Sequence, residues 1–169
     1  MGHSVRILGI DPGSQVTGIG VIDADVDRAS VVHWEAIKVG RQEHHGRLQT
    51  IFDAVGALVK AYQPQEIAIE RVFMHRNPDS ALKLGQARAA ALCATFESGA
   101  SVHEYAARQV KQSVAGYGAA DKAQVQHMVR LLLNMDGAVQ EDAADALAIA
   151  LCHAHLRRAS DMIKQAANR

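Results

Sequence analysis

The sequence predicts an α/β domain in which helices flank a mixed five-stranded sheet. Three observations point there: three β-branched runs separated by turn residues between Val5 and Val39, two short strand patterns at EIAIE (66–70) and SVHEY (101–105), and helical periodicity in the intervals between and after them. Consecutive hairpin strands make part of the sheet antiparallel, and strands alternating with helices make the rest parallel.

The first three strands are VRILGI, VTGIGVID and VVHWEAIKV, broken by Pro12-Gly13-Ser14 and by the polar stretch 23–30, and they read as a meander. From about His45 to Tyr62, Leu48, Ile51, Phe52, Val55, Leu58 and Val59 recur at helical spacing, and Pro64 closes the run. EIAIE then enters the sheet. Asp79 or Ser80 can cap a second helix carrying Leu82, Leu84, Ala87, Ala91, Leu92 and Phe96 and ending near Gly99. After SVHEY the chain reads as helical: a basic segment near 107–114, a break at Gly116-Tyr117-Gly118, a helix from about Asp121 to Asn134, and a last one from Glu141 to about Arg158. Residues 1–157 read as one domain and the polar, Ala-rich 158–169 as a flexible tail.

About half of the 169 residues are apolar, enough for one compact core. No run reaches the roughly 18 apolar residues of a membrane span, and MGHSVRILGI lacks a signal-peptide pattern, so a cytoplasmic protein without membrane contact is expected. Cys93 and Cys152 lie far apart and outside any C-x-x-C pair, which excludes a disulfide or zinc framework; both read as small buried apolar residues. Basic and acidic side chains balance at 18 each, but residues 71–130 hold eight basic and four acidic groups. A positive middle third between acidic flanks suits a protein that grips phosphate while holding metal ions, although solvated helix faces give the same count.

Acidic side chains stand out at three places along the chain. Asp11 precedes Pro12, whose ring forces an extended conformation and places the carboxylate at a strand end. Glu70 closes IAIE, where alternation puts it on one face with Ala68 and sets Ile67 and Ile69 on the other. In EDAADALAIALCHAHL, Asp142 and Asp145 share a helical face, and so do Glu141 and Asp145. Taken singly, each acid has an ordinary reading: Asp11 begins a turn, Glu70 pairs with Arg71, Asp142 caps a helix. Taken together, acids at two strand ends and on a helix beside the sheet meet only if a divalent cation offsets their repulsion, and oxygen donors select Mg²⁺ or Mn²⁺.

ILGIDPGSQVTGIGVI, IAIERVFMHRNPDSALKLGQAR, HEYAARQVKQSVAGYGAADKAQVQHMV and EDAADALAIALCHAH resemble, in register, the four signature blocks of the RuvC family of Holliday-junction resolvases. The resemblance implies a ribonuclease H-like fold, a homodimer, and catalytic, metal-holding acids at Asp11, Glu70, Asp142 and Asp145, choosing Asp142 over Glu141. It implies an endonuclease that resolves four-way DNA junctions in recombination and repair by paired nicks leaving 5′-phosphate and 3′-hydroxyl ends. Such a tetrad resembles sites holding two Mg²⁺ ions about 3.5–4 Å apart, with Mn²⁺ able to substitute and Asp11 bridging. It also implies work with the RuvAB branch-migration motor.

The same resemblance places Lys111 and Lys122 near the scissile phosphate, where ammonium groups suit charge stabilisation. Arg76 and Lys83 are weaker candidates for DNA backbone contacts. Phe73, just past Glu70, can stack on a base unpaired at a junction centre, although a phenylalanine is commonly core. Tyr105, His153 and His155 read as structural, Arg108 equally as an internal ion-pair partner. Two other function classes compete: an actin-like phosphotransferase or ATPase, suggested by IDPGS before a hairpin but needing two lobes, and a catalytically silent junction-binding module, which leaves four acids without a purpose.

Overall fold

The computed structural model describes residues 4–26, 28–72 and 77–167. Val5–Asp11 (β1), Val16–Ala24 (β2) and Ala29–Lys38 (β3) form the antiparallel meander, followed by His44–Tyr62 (α1), Glu66–Glu70 (β4), Pro78–Cys93 (α2), Ser101–Tyr105 (β5), Ala107–Ala115 (α3), Lys122–Leu132 (α4) and Glu141–Ala167 (α5). The sheet order is β3-β2-β1-β4-β5, with β1 antiparallel to β2 and parallel to β4, and β4 parallel to β5. Among the described residues no helix is long and apolar enough to cross a membrane.

Strand alternation divides the core in two. Leu8, Ile10, Ile19, Val21, Ile67 and Ile69 turn toward α1 and α2, where Ile51, Val55, Val59, Ala87 and Ala91 cover them. Ile7, Ile22, Ala68 and Tyr105 turn toward α3, α4 and α5. Asp11 and Glu70 have the parity of this second set, so the pleat alone aims both carboxylates at the α5 face.

Glycine lets α5 lie directly on that face. Gly9 and Gly20 are cross-strand partners on β1 and β2, and Gly18 is opposite Asp11. A Cβ on Gly9 would stand 2.2 Å from the Ala146 carbonyl oxygen, one on Gly18 would stand 1.9 Å from that of Asp142, and one on Gly20 would meet Leu147 at 2.7 Å. The helix backbone occupies space that any side chain here would take. At its far end α5 is fastened by polar groups: buried His153 lies with Nδ1 2.5 Å from the Tyr105 hydroxyl and Nε2 2.6 Å from Glu66, whose other oxygen accepts from Arg157 Nε at 3.1 Å. Burial pulls the Glu66 carboxyl up, but the hydrogen bonds from His153 and Arg157 outweigh it and hold the group below its ordinary range.

Four details differ from the sequence expectation. Asn77, rather than Asp79 or Ser80, caps α2, accepting from both of their amides; Pro78 takes the first helical position and so makes the residue before it the cap. The helix ends at Cys93, a separate 3₁₀ turn follows, and Leu82 (68% exposed) and Phe96 (61%) project outward instead of entering the core. Cys93 is exposed, while Cys152 is buried as expected. Finally, α5 continues past Arg158 to Ala167, with no Gly or Pro to stop it and an Arg157–Asp161 ion pair of 3.5 Å along its surface, so residues 158–167 are helix.

The close approach predicts that Gly18→Ala and Gly9→Ala each lower unfolding stability by about 2 kcal/mol or more, because overpacking against backbone has no soft direction of escape. Gly56→Ala, on α1 with nothing within 4 Å of its Cβ position, should instead stabilise by roughly 0.5–1 kcal/mol. Urea denaturation midpoints of the three variants check both signs.

Candidate active site

β1 and β4 run parallel and end side by side, delivering Asp11 and Glu70 to the same C-terminal end of the sheet. The turn after β1 is fixed from within, where buried Thr17 donates its hydroxyl to the Gly13 carbonyl at 3.1 Å; the end of β4 is fixed by Arg88 of α2, which donates Nε to the Glu70 carbonyl at 3.1 Å. Asp145 arrives from the first turns of α5, whose height above the sheet the glycines set. Together with Lys111 of α3 and Lys122 of α4, these acids line a cleft of about 260 Å³ floored by Val110, Val125, Ala148 and Ile149.

The electrostatics of this cleft are unbalanced. Burial, then the charge of Glu70, then that of Asp145, a hydrogen bond with Glu70 and finally the charge of Asp142 push the Asp11 carboxyl up to about 8. Asp145 is raised as well, by burial first, even though Lys122 opposes the shift. Lys122 Nζ lies 2.9 Å from Asp145 and also contacts Glu141; burial lowers its proton affinity, but these two carboxylates outweigh burial and raise it. Like charges are held together here at a cost that one ammonium offsets only in part.

Asp142 lies one turn before Asp145 and acts on Asp11 through its charge, but it does not line the cleft. Lys83 stands outside as well, with its ammonium 2.7 Å from Asp79 on the surface of α2. Phe73 and Arg76 fall outside the described residues. Two contributors were not singled out as functional in the sequence. Arg88, whose signal is a lone cation in the small-residue run ARAAAL, secures the end of β4. Glu141 shares a face with Asp145 but meets Lys122 instead of joining the carboxylates around Asp11.

Among the described residues no three His, Cys, Asp or Glu side chains close around a common point at metal-holding distance. The donor set nevertheless fits a hard divalent cation: the converging groups are carboxylate oxygens, and the upward shift of Asp11, from burial first and then from its neighbouring carboxylates, is one that a bound cation would offset.

A mixed sheet in the order β3-β2-β1-β4-β5, with acids at the ends of its inner strands and lysines facing them, is an α/β arrangement suited to nuclease chemistry on phosphodiesters. A family model described as "Crossover junction endodeoxyribonuclease RuvC" matches residues 7–153. A protein of that name from Marinobacter nauticus is 57% identical over 152 residues, covering 90% of this chain and 87% of the relative, and one from Dichelobacter nodosus is 55% identical over 150 residues, covering 89% and 85%. The structure of T. thermophilus RuvC in complex with Holliday junction substrate superposes with a TM-score of 0.86 at 36% identity, covering 92% of this chain and 96% of the other. The yeast mitochondrial Holliday junction resolvase Ydc2 shares the fold, with a TM-score of 0.68 at 13% identity over 95% of this chain and 86% of the other. The chain belongs to the RuvC family. Membership sets aside the actin-like reading of the IDPGS turn.

The acid cluster predicts a pH signature in the metal-free protein. Between about pH 4, where a free aspartate titrates, and about pH 8, Asp11 keeps its proton when folded and loses it when unfolded, so stability falls as pH rises through that window. Asp11→Asn should match the wild-type melting temperature near pH 4 and exceed it by a margin that widens up to about pH 8. A margin independent of pH in thermal scans with EDTA would show that the Asp11 carboxyl is not held up.

Proposed function

We propose that this chain is a cytoplasmic, structure-selective endonuclease that resolves four-way DNA junctions in recombination and repair, by paired symmetric metal-dependent nicks leaving 5′-phosphate and 3′-hydroxyl ends. The observation that carries this reading is the convergence of Asp11, Glu70 and Asp145 with Lys111 and Lys122 in one cleft of a RuvC-family chain. T. thermophilus RuvC forms a complex with Holliday junction substrate, and its chain is matched over nearly its full length.

Asp11, Glu70, Asp142 and Asp145 are the residues that would hold the metal, two Mg²⁺ ions with Mn²⁺ as a substitute. Bound there, divalent ions supply Lewis-acid charge and lower the pKa of water for in-line attack. Asp11, on the central strand, lies where the charges of Glu70, Asp145 and Asp142 all reach it, and would be the innermost of the metal-holding acids. Its partner Glu70 is held by Arg88 through the backbone, which fixes where the carboxylate leaves the sheet. Lys111 and Lys122 present ammonium groups to the charge that develops on the transferring phosphate. The hydrophobic floor of the cleft keeps these charges in a medium of low polarisability, where they act more strongly than in water.

Resolution needs two incisions related by a two-fold axis, so the chain acts as a homodimer. The small residues of α2 divide between its faces: Ala87 and Ala91 pack on the sheet, whereas Gly85 and Ala89 lie in an exposed row with Leu82, Cys93 and the following Phe96. That row is the surface suited to a second copy. Phe73 serves as a wedge at the junction centre, Arg76 and Lys83 as contacts to the DNA backbone, and RuvAB as the motor that delivers the junction.

Incubation of the protein with a synthetic mobile four-way junction and Mg²⁺ should yield two nicked duplexes that ligase can seal. Asp11→Asn, Glu70→Gln, Asp142→Asn or Asp145→Asn should each abolish cleavage and leave gel-shift binding within a few fold of wild type. A variant that cuts at the wild-type rate removes that residue from the site. Mixing wild type with Asp11→Asn should give dimers that nick once without completing resolution, whereas paired incision by a species of single-chain mass in light scattering would overturn the dimeric reading.

A further inference from the structure

Lys122 is to act on the phosphate, yet its ammonium is already engaged. Nζ lies 2.9 Å from Asp145, which lines the cleft with a side chain 28% exposed, and it also contacts Glu141, which is 63% exposed and outside the lining. One cation thus spans an inner and an outer carboxylate. Its place in the chain is unfavourable for the helix that carries it: Lys122 is the first residue of α4, inside the Asp121–Gln124 capping box, where the helix dipole disfavours positive charge. What the lysine reaches must account for its position. Lys111, by contrast, lines the same cleft without an ion pair among the described residues.

We propose that Lys122 is the resident counter-cation of the acid cleft, exchanged at Asp145 for a divalent ion and retained at the cleft mouth by Glu141, which acts as a positioning residue. The proposal rests on the reading that these acids hold metal. An ammonium and a divalent ion compete for the same inner carboxylate and repel one another. Loading therefore opposes the Lys122–Asp145 pair but leaves the Lys122–Glu141 pair intact. The three donors of an ammonium allow one to stay on Glu141 while the others turn to a phosphate oxygen. Without Glu141, Lys122 would have Asp145 as its sole carboxylate partner and would compete harder for it.

The test uses the full chain without DNA and Mn²⁺ as the probe, with the paramagnetic resonance signal of free Mn²⁺ reporting binding. Lys122→Met should tighten Mn²⁺ binding by roughly threefold to tenfold, the scale on which a half-exposed ion pair can oppose it, and Lys122→Arg should stay within about twofold of wild type. Glu141→Gln should weaken Mn²⁺ binding about threefold in the wild-type background and lose most of that effect when combined with Lys122→Met. Equal weakening in both backgrounds would make Glu141 a remote charge and overturn its positioning role. Unchanged or weaker binding by Lys122→Met, where Asp11→Asn abolishes binding, would overturn the exchange while leaving the metal site standing. If Asp11→Asn also binds Mn²⁺ as wild type does, the metal reading itself fails, and the exchange with it.

Discussion

The site depends on how closely one helix backbone can approach one pair of strands. Carbonyl oxygens of α5 stand where side chains on Gly9 and Gly18 would begin, so the distance from helix to sheet is set by backbone meeting backbone. Interdigitating side chains can repack over several tenths of an ångström, and backbone contacts cannot. Asp142 and Asp145 come from α5, and Asp11 comes from the strand beneath it. The spacing between acids from opposite ends of the sequence is therefore fixed by three residues that carry no functional group.

This rigidity explains how the protein tolerates so much like charge in one place. Left to relax, the carboxylates would move apart. Here strand ends, a helix on a glycine floor and the Arg88 clamp hold them, and the strain appears as proton uptake by Asp11 and as recruitment of Lys122. The hydrophobic core thus holds carboxylates together in a site poised to attract cations, in the manner general to preorganised sites.

Much of this was legible in the sequence where a local rule has only one solution. Pro12 fixes the conformation of Asp11, and period-two alternation fixes the face of Glu70, because a strand offers two sides and one is filled with isoleucine. Helical periodicity constrains less. Spacings of three and four both return to the same face, so Glu141 and Asp142 could not be separated by position; in the fold one meets a lysine and the other acts on Asp11 through its charge. The outward side of α2 misled in the same way, since Leu82 and Phe96 continue an apolar pattern that packing against the sheet does not use. The clasp of Glu66, Tyr105 and His153 joins residues far apart in sequence through hydrogen bonds, which leave no periodic trace.

The length of α5 carries a consequence of another kind. The helix that bears Asp142 and Asp145 in its first turns is clasped to β4 and β5 at His153 and Arg157, then extends to Ala167 along a largely exposed surface. At about 1.5 Å per residue, the stretch from Asp145 to Ala167 forms a rod of roughly 33 Å, so a small tilt of the turns that carry the acids is magnified at its outer end. A reporter attached to its outer turns would act as a pointer, making reorientation of the carboxylates visible at a distance where the label itself touches nothing in the cleft.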